Sequence, residues 1–68
     1  MFMKFTELAE NEQTEIVNDL LSYCDIRTQR KIKYKMLAWL KQTNAELTLL
    51  FGSYHFSNDT LYEMPTFV

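Results

Sequence analysis

A chain of 68 residues that is 47% apolar and 15% aromatic, with one glycine and one proline, falls among folded proteins and away from disordered ones. That length leaves room for a single hydrophobic core, so residues 1–68 are read as one small domain. One cysteine and one histidine exclude an internal disulfide and the paired ligands of a zinc site, and the net charge of −2 argues against a free-standing polyanion binder.

A core this small contributes roughly 3–5 kcal/mol net, and such domains are commonly completed by a disulfide, a metal or a partner chain. With the first two removed, docking on a larger protein or pairing as a homodimer remains. The segment 1–5 is followed at once by polar and acidic residues, and so lacks the 7–15 residue apolar run of a signal peptide. No stretch approaches the roughly 20 apolar residues of a membrane span. A cytoplasmic protein with no membrane partner is expected.

The first element is a helix over residues 11–24. Ile16, Val17, Leu20, Leu21 and Cys24 recur at the spacing of 3.6 residues per turn. Thr6 or Asn11 offers a side-chain cap, and Glu10, Glu12 and Glu15 suit the positive end of the helix dipole. After a short polar link, in which Asp25 or Thr28 serves as the next cap, a second helix covers 28–43. It carries Ile32, Met36, Trp39, Leu40 and Thr43 on one arc. A link this short makes the two helices neighbours.

Residues 46–68 carry mixed signals. Leu47, Leu50, Phe51 and Tyr54 have helical spacing, with Asn44 as a cap. However, Gly52 costs about 1 kcal/mol inside a helix, and Thr48, Phe51, Tyr54, Phe56, Thr60 and Tyr62 favour strands. Residues 57–59 read as a turn leading into a strand over 60–62. The expected fold is therefore α+β, two amphipathic helices followed by a short β-hairpin. The alternative is an all-α three-helix domain with a helix over 47–54. Pro65 ends regular structure, and 64–68 is expected to be a loose tail.

Charge is segregated along the chain. Six of nine acids lie between Glu7 and Asp25 with no base among them, and six of seven bases lie between Arg27 and Lys41 with no acid. On the second helix Arg27, Arg30, Lys31, Lys35 and Lys41 gather opposite the apolar arc, around Tyr34 and Ala38. Like charges four residues apart repel by a few tenths of a kcal/mol, so helix stability gives no reason for the pattern. Three explanations compete: pairing with the acids of the first helix, docking on an acidic protein surface, or neutralising phosphates with Tyr34 stacking on a base. A helix-turn-helix reading would place Arg27, Gln29, Arg30 and Lys33 in a DNA groove, yet the link has no glycine and the basic stripe runs the length of the helix.

Catalytic chemistry finds little support. His55 stands alone, Cys24 lies on an apolar stripe where a free thiol packs as a small hydrophobe, and Gly52 makes no phosphate loop. No cofactor, metal or enzymatic activity is expected. The aromatics exceed what two helical stripes can bury, so Tyr54, Phe56 and Tyr62 are read as apolar anchors of an exposed patch. Together with Arg27, Arg30, Lys31, Tyr34, Lys35 and Lys41 they suggest a small regulator or inhibitor that binds a larger protein or complex. Nucleic-acid binding through the basic helix is the alternative.

Overall fold

The structure, a computed structural model, describes residues 2–67. A strand, β1 (Phe2–Lys4), runs into one turn of 3-10 helix (Phe5–Glu7). Helices α1 (Glu10–Leu20) and α2 (Ile26–Thr43) follow, then strands β2 (Glu46–Leu50) and β3 (Ser53–Phe56), and a short helix α3 (Asn58–Glu63). The expected α+β class is observed, with two helices preceding a hairpin.

The hairpin lies earlier than the sequence pattern placed it. β2 and β3 pair antiparallel from Leu47 opposite Phe56 to Leu50 opposite Ser53, leaving Phe51 and Gly52 as a two-residue loop. Both have positive φ, 52° and 79°, as a type I′ turn requires. Gly52 is thus the turn residue, which rules out the helix over 47–54. The segment 57–59 is a helix entrance and not a turn: the Ser57 side chain accepts from the Thr60 backbone N–H at 3.2 Å and caps α3. That cap overrides the strand preference of Thr60, Leu61 and Tyr62. β1 completes an antiparallel sheet of order β1-β2-β3, with Met3 opposite Leu47. Its three residues are too few for a period-two pattern to show.

The core gathers Phe5 and Leu8 from the N-terminal turn, Ile16, Val17 and Leu21 from α1 and its exit, and Ile32, Met36 and Leu40 from α2. Ala45 and Leu47 complete it from the sheet side. The chain beyond α3 has no regular structure, yet Met64 and Phe67 pack against this core, and the Phe67 ring meets Trp39 edge-on at 6.1 Å.

Both long helices are entered by the same device. Gln13 and Gln29 are each the fourth residue of their helix, and each side-chain amide donates to two carbonyls of the preceding turn. Gln13 Nε2 reaches the oxygens of Phe5 and Leu8 at 3.0 and 3.1 Å, and Gln29 Nε2 reaches those of Leu21 and Cys24 at 2.9 Å each. The turns match as well, with the Leu8 N–H donating to Phe5 and the Cys24 N–H to Leu21. This explains why α1 stops at Leu20, short of the expected Cys24: Leu21 and Cys24 remain packed, while their carbonyls are taken by Gln29. Thr6 does not cap α1. Its hydroxyl donates to Asn44 Oδ1 at 2.8 Å, and the N-cap is Ala9 without a side-chain bond.

Candidate docking surface

The site is built on α2, whose ends are well defined. Asp25 Oδ1 accepts from the Thr28 N–H at 2.7 Å, which starts the helix at Ile26. At the other end Asn44 adopts the left-handed conformation with φ 51° and turns the chain into β2. The Thr28 hydroxyl and then its backbone N–H favour the charged form of Asp25 and hold its pKa below the ordinary 3.8. A lowered folded value means that this contribution is present above pH 3.8 and is lost as pH falls through the folded pKa. Asp25→Asn keeps an acceptor oxygen but does not titrate. Its melting temperature should lie below wild type at neutral pH, and the gap should close in acid; a gap independent of pH would remove the carboxylate from this role.

Ile32, Met36 and Leu40 turn inward, and the opposite face of α2 is open to solvent. Arg27, Arg30, Lys31, Lys35, Ala38 and Lys41 are all exposed along it, around Tyr34, which is 74% exposed. An α-helix rises 1.5 Å per residue, so the stripe is about 20 Å long.

These charges form no ion pair with any of the described residues. Among the described residues the one ion pair joins Lys4 to Glu46 across β1 and β2 at 3.5 Å, so no acid of α1 neutralises a base of α2. Gln29 is committed to the carbonyls of Leu21 and Cys24, so it does not project from α2 as a base-reading side chain.

Of the three anchors expected from aromatic excess, Tyr54 and Phe56 lie on the inner face of β3 and pack against the core. The Phe56 ring stacks on Phe5 at 6.5 Å, and the Tyr54 hydroxyl donates to Glu12 Oε2 at 2.6 Å. That bond, together with burial and the nearby carboxylate charge, raises the Tyr54 pKa above the ordinary 10.0. Tyr62 is exposed on α3. The exposed aromatics also include Phe2, Tyr23 and Phe51, the last standing free at the hairpin tip. The sequence pattern does not mark Phe51, because the dipeptides that signal a two-residue loop carry Asn, Asp or Gly at its position.

Beside the tip, a groove of about 530 Å³ runs between α1 and the hairpin. Ile16 and Leu49 supply its apolar lining, and Glu12, Glu15 and Asp19 line it with carboxylates. No group of His, Cys, Asp and Glu among the described residues is arranged to hold a metal ion. His55 is exposed on the outer sheet face opposite Thr48, whereas Cys24 packs against the core. Among the described residues no helix is long and apolar enough to cross a membrane. The chain matches no protein-family model, no curated protein and no solved structure at a significant level.

Proposed function

We propose that this protein is a non-catalytic binding module, a regulator or inhibitor that occupies an acidic surface of a larger protein with the outer face of α2. The observation that carries this reading is the unpaired basic stripe. Five cations, Arg27, Arg30, Lys31, Lys35 and Lys41, share one helix face with an exposed tyrosine, none of them ion-paired among the described residues, at a cost of like-charge repulsion along the helix. Such a face attracts an acidic partner over about a Debye length and fixes orientation on contact, while Tyr34 supplies amphipathic contact area. Protein is favoured over nucleic acid because the acids of α1 give the molecule an overall negative charge, which opposes approach to phosphates.

The test compares wild type with Lys31→Glu/Lys35→Glu as bait for partner capture and as a titrant of labelled single- and double-stranded DNA and RNA. Both positions are exposed, so the variant should fold as wild type does. Capture by wild type that falls at least tenfold in the variant supports the reading, a loss equivalent to about 1.4 kcal/mol. Nucleic-acid binding that weakens steeply between about 50 and 200 mM salt would replace it with the nucleic-acid alternative.

A further inference from the structure

Phe51 occupies a position that the fold does not explain. Its φ of 52° lies in the left-handed region, where Asn, Asp or Gly is favoured and a bulky side chain is strained, and its ring is fully exposed. Strain kept at an exposed aromatic without a packing return points to a contact outside the monomer. The tip borders the groove between α1 and the hairpin, where Glu15 and Asp19 face solvent without an ion-pair partner among the described residues. One surface of the protein therefore combines an apolar prong, Leu50 and Phe51, with an adjacent acidic stripe. The outer face of α2 offers the complement, Arg27, Arg30, Lys31 and Lys35 around Tyr34 and Ala38.

Among the described residues no ion pair joins the acids of α1 to the bases of α2, so the two surfaces are not spent on each other within one molecule. We infer that copies of this chain associate head to tail, the hairpin tip and acidic stripe of one copy docking on the basic outer face of α2 in the next. The inference rests on reading that face as a docking surface, and names a second copy as its occupant when no other partner is bound. An apolar anchor flanked by carboxylates matches a basic face carrying an aromatic, through ring contact, cation–π attraction and opposite charge. A membrane is a poorer match, because carboxylates beside the prong repel anionic lipid. Two identical tips facing each other would likewise bring the acidic stripes together. Because the surfaces differ, the contact is heterologous: each dimer keeps one free surface of each kind and can grow. Self-association and partner binding then exclude one another on α2.

The experiment measures the mass of the purified full chain by sedimentation, over micromolar to millimolar concentrations, at about 50 mM and about 1 M salt. Wild type should reach at least twice the monomer mass at low salt and return to monomer at high salt. Lys31→Glu/Lys35→Glu and Glu15→Lys/Asp19→Lys each remove one surface and should stay monomeric, with helical circular dichroism unchanged. Mixed in equal amounts, these variants should associate again, because each supplies the surface that the other lacks and the two reversed surfaces are themselves of opposite charge. Phe51→Asn should weaken association at least tenfold while raising the melting temperature, since asparagine suits the turn. A wild type that stays monomeric at low salt overturns the inference, as does a mixture that stays monomeric or association unaffected by either charge reversal. If wild type is monomeric while the α2 variant still loses partner capture, the head-to-tail contact fails and the reading of α2 stands.

Discussion

Truncating Phe5 to alanine should unfold the protein at room temperature. Its side chain is wholly buried, its ring stacks on Phe56, its N–H donates to Ala45 at 2.8 Å, and its carbonyl receives Gln13. Phe5 thus joins the N-terminal turn, α1 and the sheet at one point. Removing a buried phenylalanine costs about 3–5 kcal/mol. That equals the whole net stability of roughly 3–5 kcal/mol expected of a core this size. Phe5→Leu keeps most of the volume and should cost about 1 kcal/mol. Circular dichroism with urea titration separates the two outcomes: a cooperative transition retained by Phe5→Ala near the wild-type midpoint would remove Phe5 from the centre of the core.

Gln13 should show the next largest effect, by a different mechanism. Its side chain is 5% exposed, and its amide supplies donors to the Phe5 and Leu8 carbonyls. Gln13→Leu fits the space but leaves both acceptors without that donor, at a cost of roughly 2–4 kcal/mol. Gln13→Glu should be worse at neutral pH, because a carboxylate then faces two carbonyl oxygens. It can donate only when protonated, so its folded pKa is raised, and the lost stability should return as pH falls through that value. Gln29 performs the same role in a half-buried setting where water can substitute, and Gln29→Leu should cost only about 1 kcal/mol. Urea midpoints at constant slope give the comparison; equal costs at the two glutamines would show that burial of Gln13 is not what makes its bonds valuable.

Much of the candidate site could be read from residue spacing, because it lies on one helix. The positions of Arg27, Lys31, Tyr34 and Lys35 around α2 follow from 100° per residue once Ile32, Met36 and Leu40 define the inward side. The Asp25 cap likewise depends only on a carboxylate three residues before a free N–H. The sequence by itself therefore determined both long helices, their buried faces and the segregation of charge. Each of these is a local property, periodic or nearest-neighbour.

Only the tertiary structure decided which hairpin formed, because strand pairing compares segments far apart in the chain. Residues 46–50 pair with both β1 and β3, a choice that the preferences of Thr60 to Tyr62 cannot reveal. The fates of Tyr54 and Phe56 followed from that register, since a shift of one residue exchanges the two faces of a strand and would have turned both outward. The paired glutamine bonds and the free Phe51 also emerged only in three dimensions. A polar side chain looks the same in sequence whether it meets water or a buried carbonyl, and an aromatic looks the same whether it enters the core or stands at a turn. What distinguishes them is the position of the rest of the chain.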